Sequence, residues 1–157
     1  MGPRPWSGAH RRLRVWAKAR GPGTLPFVSS HHGRCMCGSV RFVVDGPLRP
    51  VLNCHCDRCR RFTGHYLAAT MAATADLSFR SCETLTWYQA SPGVEYGFCG
   101  RCGSSLFWRV DAEPGQVSVC AGTLDPPTGL STEAAWWVST ASDYHQRPDL
   151  PEYAHEP

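Results

Sequence analysis

The sequence predicts a mainly β protein, with antiparallel strands organised around bound metal. Fifteen glycines and thirteen prolines in 157 residues favour short strands and frequent turns. Several segments are rich in β-branched and aromatic residues, and no long stretch has helical periodicity. Seven of the nine cysteines fall into three tight clusters. A chain of this length is expected to form one domain with a core of its own.

The strand pattern begins after residue 31, where His31 and His32 are interpreted as flexible linker. Val40, Phe42 and Val44 alternate with Arg41 and Val43, which predicts a half-buried strand over 40–44. Further strands are predicted over 66–72, 77–79, 84–89, 94–98, 105–110, 116–121 and 135–140. A single helical turn is expected over 58–62.

The three cysteine clusters have the spacing of metal ligands rather than of disulfide partners. They are Cys54-His55-Cys56-Asp57-Arg58-Cys59 at the centre, flanked by Cys35-Met36-Cys37 and Cys99-Gly100-Arg101-Cys102. Thiols one residue apart on an extended segment point to the same side, and a disulfide between them would be strained. Zinc needs crowded thiolates of this kind, with sulfur atoms at about 2.3 Å. Zinc is preferred over iron because nothing in the sequence marks an iron–sulfur protein.

Seven thiols divide most simply into a set of four and a set of three. Structural zinc sites are closed by four protein ligands, whereas catalytic sites keep three and leave a position for water or substrate. This division gives an open site at Cys54, Cys56 and Cys59 and a closed site at Cys35, Cys37, Cys99 and Cys102. The alternative grouping joins the central cluster to one flanking pair.

An open zinc site suggests a reaction. It would bind an incoming thiol and favour its deprotonation. The thiolate would then attack an aldehyde carbonyl to give an S-hydroxyalkyl adduct, and the reverse step would break a carbon–sulfur bond.

Charge is unevenly distributed along the chain. The net charge is +3, yet no acidic residue precedes Asp45, and from Cys35 onward nine basic residues are outnumbered by thirteen acidic ones. Residues 1–30 are expected to be a basic, disordered extension, with a targeting or anionic-surface arm as the alternative, and residues 31–157 to be the metal-binding domain. Nucleic-acid binding would therefore depend on the extension alone.

Clustered cysteines without a signal-peptide pattern are typical of a reducing compartment. The sequence also lacks an apolar span of 18 residues. We therefore expect a cytoplasmic protein that has small-molecule partners and no membrane contact.

Five motifs in a fixed order support a family resemblance. They are GRCMCGSVRF, NCHCDRCRRFTG, SPGVEYGFCGRCGSSLFWR, AGTLD at Ala121–Asp125 and DLPEY near the C-terminus. Together they cover roughly residues 31–155 and resemble the glutathione-dependent formaldehyde-activating enzyme (GFA) family, also called the CENP-V/GFA domain.

The resemblance implies a β-tent fold, in which antiparallel sheets surround zinc. It implies a structural zinc on the four flanking thiols. It also implies a second zinc on the three central thiols, where glutathione and formaldehyde are proposed to form S-hydroxymethylglutathione. Many members carry a histidine before the late aromatic strand, where this chain reads Glu133-Ala134-Ala135-Trp136-Trp137, so any role of that histidine is absent here.

Other polar residues near the central cluster are candidates for substrate binding. Arg60 and Arg61 are able to clamp a carboxylate of a thiol tripeptide, or else to balance the charge of the thiolates. His65 is a candidate proton carrier, with a surface-loop histidine as the alternative. His55 is interpreted as a spacer whose ring points away from the metal, although a ligand role remains the alternative.

The two remaining cysteines stand alone in the sequence. Cys120 is expected to be a small buried residue in an apolar strand, and Cys82 to lie in a turn. Neither is expected to be a metal ligand.

The sequence therefore predicts a zinc-dependent carbon–sulfur lyase-type enzyme that adds a thiol such as glutathione to formaldehyde or another small aldehyde, or cleaves such adducts. The main alternative is a non-catalytic zinc scaffold that binds a protein partner or nucleic acid. A redox or zinc-buffering protein is a third reading, because crowded thiolates oxidise and release metal.

Overall fold

The computed structural model describes residues 30–144 and 152–155, so the extension predicted before residue 30 lies outside the described residues. Strands dominate the described part of the chain. They are β1 Ser30–Arg34, β2 Arg41–Asp45, β3 Val51–Cys54, β4 Leu67–Ala73, β5 Leu77–Ser81, β6 Leu85–Ser91, β7 Val94–Cys99, β8 Ser105–Val110, β9 Gln116–Cys120, β10 Thr132–Trp136 and β11 Glu152–Tyr153. The helix α1 spans Asp57–Thr63, and 3₁₀ turns span Thr74–Asp76, Ala121–Thr123 and Val138–Thr140.

The strands form two sheets. The smaller sheet has the order β1-β2-β5, and the larger one has the order β11-β10-β3-β4-β9-β8-β7-β6. All pairings are antiparallel except those of β10, which runs parallel to both β3 and β11. The expectation of purely antiparallel pairing is corrected on this point. A long connection separates β10 from β9, and such a connection allows a strand to enter a sheet in the parallel direction.

The main apolar core lies between the two sheets. Val40, Phe42 and Val44 come from the segment that carries β2, whereas Leu106 and Phe107 come from β8. The rings of Phe42 and Phe107 meet edge to face, with 5.0 Å between their centroids. Such packing positions the turns at the ends of both sheets, and these turns carry the cysteines.

Most predicted strands are confirmed to within one or two residues, and β8 has the predicted bounds. Three short strands were not predicted: β1, β3 and β11. His31 and His32 lie in β1, because this segment pairs with β2 over its whole length, and the linker interpretation is therefore wrong. The predicted strand over 135–140 ends early at Trp136, because Trp137 adopts a left-handed conformation with φ of 61° and a 3₁₀ turn follows.

Burial in β2 also differs from the prediction. Val43 is 1% exposed, so three consecutive residues of this strand are buried rather than alternate ones. No helix in the described ranges has the length and apolar character needed to cross a membrane.

Candidate metal centres

The structure gathers four cysteines from two distant turns into one cluster. Cys35 and Cys37 lie between β1 and β2 of the smaller sheet, whereas Cys99 ends β7 of the larger sheet and Cys102 lies in the turn between β7 and β8. The Sγ atoms all lie within 4.8 Å of one another, with 3.5 Å between Cys35 and Cys37 and 3.8 Å between Cys37 and Cys99. Four sulfurs around a tetrahedral zinc at 2.3 Å are separated by about 3.8 Å. The donor set therefore fits zinc.

Both turns of this four-thiol cluster fold in the same way. In each turn the backbone N–H of the first cysteine donates across the turn, Cys35 to Val40 O at 3.0 Å and Cys99 to Ser104 O at 2.9 Å. A glycine follows the second cysteine, and both glycines have positive φ, 73° at Gly38 and 77° at Gly103. Glycine adopts this conformation without steric cost, so the backbone can turn tightly around a metal ion.

Polar groups around the four-thiol cluster favour thiolate over thiol. The pKa of Cys102 is lowered to about 5, first because the Ser104 hydroxyl lies 3.3 Å from its sulfur, and then because backbone N–H groups donate to it. The Val40 N–H donates to the Cys35 sulfur at 3.3 Å. Cys35 and Cys99 are fully buried, Cys102 is half-buried and Cys37 is exposed. The cluster is closed in the sense that its four sulfurs would fill every position of a tetrahedral ion.

The three central cysteines form a second cluster at the C-terminal end of β3, an interior strand of the larger sheet. Cys54 ends β3, Cys56 caps the N-terminus of α1, and Cys59 lies in the first turn of this helix. Their Sγ atoms also lie within 4.8 Å of one another. The Cys59 N–H donates to the Cys56 sulfur at 3.4 Å. With three thiols, this cluster leaves one position of a tetrahedral ion open.

Negative charge in the three-thiol cluster is concentrated on Cys56. Its pKa is lowered to about 3, because the Cys54 and Cys59 thiols donate to its sulfur and outweigh the effect of burial. The pKa of Cys54 is raised, because its hydrogen bonds to the other two sulfurs favour the protonated form and burial adds to them. Within the cluster, Cys56 is therefore the sulfur that accepts hydrogen bonds from its two neighbours.

One wall of the three-thiol cluster is aromatic. Tyr96 on β7 is 3% exposed, and its hydroxyl lies 3.4 Å from the Cys59 sulfur. The ring of Phe62 on α1 packs against Tyr96, with 4.6 Å between the centroids. Tyr96 was not among the predicted site residues. Its alternation with Phe98 and Val94 on β7 marks it as inward-facing, but only the fold places it beside Cys59.

The two predicted substrate arginines are paired with a carboxylate of their own helix. Asp57 accepts from Arg60 Nη2 at 2.7 Å and from Arg61 Nε at 3.0 Å. The side chain of Arg61 is 72% exposed, whereas that of Arg60 is 31% exposed. The Nε atom of Arg60 is buried, and it has no hydrogen-bond partner in the described part of the chain. Asp57 therefore holds both guanidinium groups against the helix.

The predicted proton carrier, His65, lies in a group of aromatic side chains. Its ring contacts those of Tyr66 at 4.5 Å and Tyr144 at 5.9 Å, between centroids. Tyr66 also contacts the ring of His55 at 5.1 Å. His55 is 2% exposed and is not among the cluster ligands that the structure brings together. This placement agrees with the interpretation of His55 as a spacer.

Both solitary cysteines lie outside the two clusters of the described residues. Cys82 is exposed, and Cys120 is buried in β9. Burial raises the pKa of Cys120 to about 12. Cys120 is therefore a protonated, apolar residue of the core, as predicted.

The chain matches a family model and is similar to a solved structure. A family model described as glutathione-dependent formaldehyde-activating enzyme matches residues 30–140, a region that contains all seven clustered cysteines. Among solved structures, the chain is similar to a Rhodobacter sphaeroides protein whose crystal structure was determined as a structural-genomics target. The two chains are 27% identical with a TM-score of 0.54, and the match covers 64% of this chain and 97% of the other.

Proposed function

Since this chain belongs to the glutathione-dependent formaldehyde-activating enzyme family, we propose that it is a zinc-dependent enzyme of the carbon–sulfur lyase type. It would add a thiol such as glutathione to formaldehyde or another small aldehyde, or cleave such adducts. The observation that carries this proposal is the division of seven clustered thiols into a closed set of four and an open set of three. A zinc site closed by four protein ligands is typical of a structural role, whereas a site with three protein ligands has room for a substrate sulfur.

We assign the two clusters different roles. Cys35, Cys37, Cys99 and Cys102 would hold a structural zinc, and Cys54, Cys56 and Cys59 a second zinc. A zinc ion held by three thiolates supplies a Lewis-acidic position that lowers the pKa of an incoming thiol.

The reaction is an addition without oxidation or reduction. The sulfur of the thiol forms a bond to the carbonyl carbon, and the carbonyl π electrons move to oxygen. The proton that the thiol loses balances the proton that the oxygen gains. The reverse reaction returns that proton to sulfur as the carbon–sulfur bond breaks.

The surrounding residues have separate tasks in this proposal. The buried ring of Tyr96 and the half-buried ring of Phe62 exclude water from one side of the cluster. Arg60, with an N–H not used by described residues, would bind a substrate carboxylate, and Arg61 would contribute charge at the rim. His65 would carry the proton between sulfur and oxygen, because an imidazole has one donor and one acceptor nitrogen.

The test compares two cysteine variants of the full chain, Cys54→Ala and Cys82→Ala. Cys82 is exposed and outside the clusters, so its variant is the matched control. Exchange NMR of glutathione and formaldehyde measures the rate of adduct formation above the fast uncatalysed background. We expect two bound zinc ions and acceleration with Cys82→Ala, but one zinc ion and background rates with Cys54→Ala.

Equal rates with wild type and buffer alone would contradict the enzymatic proposal. If zinc were still bound in both clusters, that outcome would favour the non-catalytic scaffold instead.

A further inference from the structure

A cleft on the smaller sheet collects positive charge outside the thiol clusters. It has a volume of about 220 Å³. Arg34 at the end of β1, Arg41 at the start of β2 and Arg80 in β5 line it, together with Asp125. Three guanidinium groups against one carboxylate give a formal charge of +2. The chain from residue 35 onward is acidic overall, so this concentration of arginine is not an average property of the surface.

The strand register brings the three arginines together. Arg34 pairs directly with Arg41 across β1 and β2, and like charges in this position are destabilising on their own. Arg41 pairs with Ser81 while the next residue of β2 pairs with Phe79, so Arg80 lies at a bulge. Bulges redirect side chains. Regular pairing thus brings Arg34 and Arg41 together, and the bulge brings Arg80 to the same cleft.

The cleft contains more donors than acceptors. Asp125 Oδ1 lies 3.6 Å from Arg34 Nε, and both side chains are about half exposed. Arg41 Nε donates to the Gly38 carbonyl at 3.0 Å. This bond fixes the guanidinium group and leaves its terminal N–H groups available to a ligand. Among the described residues, the side chain of Arg80 has neither a hydrogen bond nor an ion pair. A ligand with several acceptor oxygens would satisfy these donors.

The cleft has a rigid apolar floor. Phe42 is 1% exposed, and a Cβ atom added to Gly33 would lie 2.2 Å from its Cζ atom. The backbone of β1 therefore lies directly against the ring. This ring forms the apolar floor of the cleft, and the planar donor forks of the guanidinium groups around it suit anion recognition.

We propose that this cleft binds the phosphate group of a small phosphorylated ligand. A phosphate monoester carries a charge of about −1.5 to −2 at neutral pH and three acceptor oxygens. That charge balances the +2 of the cleft, and the oxygens match the guanidinium forks. The proposal is independent of the metal chemistry assigned to the thiol clusters.

The test is calorimetric titration of the zinc-loaded full chain with inorganic phosphate, adenosine 5′-monophosphate, adenosine and acetate. We expect saturable binding of the two phosphates, weak binding of acetate, none of adenosine, and an affinity that falls as salt increases. Binding of phosphate but not of the nucleotide would identify the free ion as the ligand.

Two variants of the cleft should change affinity in opposite directions. Arg80→Gln should weaken phosphate binding roughly tenfold, because one charged donor is lost. Asp125→Asn should strengthen it, because a repelling carboxylate is removed. The control Arg109→Gln removes the same charge from β8, where Arg109 pairs with Glu95 at 2.7 Å, and should leave affinity unchanged. Arg41→Gln is a second weakening variant if Arg80→Gln fails to fold.

Three results would overturn the proposal. The first is absence of saturable phosphate binding, and the second is an equal effect of Arg80→Gln and Arg109→Gln. The third is binding of a single-stranded oligonucleotide without binding of phosphate or the mononucleotide, which would indicate a polynucleotide surface instead.

Discussion

The phenolic oxygen of Tyr96 lies 3.4 Å from the sulfur of Cys59, and both side chains are buried. Burial raises the pKa of Tyr96, and the negative charge of Cys59 raises it further. The phenol therefore keeps its proton and can donate it in a hydrogen bond when Cys59 is a thiolate. Such a bond from a neighbour that is not itself a ligand orients the sulfur and spreads its charge.

We expect Tyr96→Phe to weaken zinc binding at the three-thiol cluster by roughly tenfold, which is typical for loss of an outer hydrogen bond to a ligand. Competition with a chromophoric chelator measures this affinity. The control is Tyr88→Phe, because Tyr88 faces Tyr96 across β6 and β7 but is 58% exposed. Equal affinities for the two variants would show that the phenol does not support Cys59.

The two thiol clusters should contribute unequally to stability. The four-thiol cluster links the smaller sheet to the larger one, through cysteines that are 62 positions apart at Cys37 and Cys99. The three-thiol cluster spans only the short segment from Cys54 to Cys59. A metal that closes a long loop removes more conformational entropy from the unfolded chain.

We therefore expect Cys102→Ala to lower the free energy of unfolding by roughly 3 kcal/mol or more, and the melting temperature by about 10 °C. Cys56→Ala removes a similarly half-buried cysteine from the other cluster. It should lower the free energy of unfolding and the melting temperature much less. Thermal melts of the zinc-loaded proteins give the comparison. A larger effect of Cys56→Ala would reverse the assignment of structural and open sites.

Gly33 is required by the close approach of β1 to Phe42. A Cβ atom at this position would lie 2.2 Å from Phe42 Cζ, and the ring has little room to move because it packs against Phe107. We expect Gly33→Ala to cost about 1–3 kcal/mol of stability, as overpacking in a core does. Denaturant titration measures the change.

Gly115→Ala is the matched control for this substitution. A Cβ atom at Gly115 meets nothing within 4 Å. The free energy of unfolding of the Gly115→Ala variant should therefore change by less than about 0.5 kcal/mol. A similar loss at both positions would mean that the contact with Phe42 is not the cause.

Local patterns were enough to predict the cysteine clusters and the strands from β4 to β9. The strand β8 keeps its predicted bounds because its apolar pattern and its flanking turns agree. In contrast, β1 reads SHHGR, and it is a strand only because β2 lies beside it. The early end of β10 depends on the left-handed conformation of Trp137, which no local propensity indicates.

Local patterns likewise predict only part of the candidate site. Spacing alone identified the seven thiols, because metal ligands within one turn are close in sequence. The contact between Tyr96 and Cys59 joins β7 to α1, and the arginine cleft joins residues from β1, β2 and β5. Such groupings depend on sheet order and register, which a single sequence does not fix.

Thr70 makes a buried polar contact that links β4 to the segment before β3. It is fully buried, and its hydroxyl donates to the carbonyl oxygen of Arg49. Thr70→Val keeps the shape of the side chain but removes the donor, so we expect a loss of about 1–3 kcal/mol in the free energy of unfolding. Thr70→Ser keeps the hydroxyl and loses only a methyl group, which should cost about 1 kcal/mol.

Because β3 ends at Cys54, a shift of its neighbouring segment should also loosen zinc at the three-thiol cluster in Thr70→Val. Denaturant titration and chelator competition, measured on both variants, separate these effects. Greater stability of Thr70→Val than of Thr70→Ser would show that the methyl group, not the hydrogen bond, stabilises this contact.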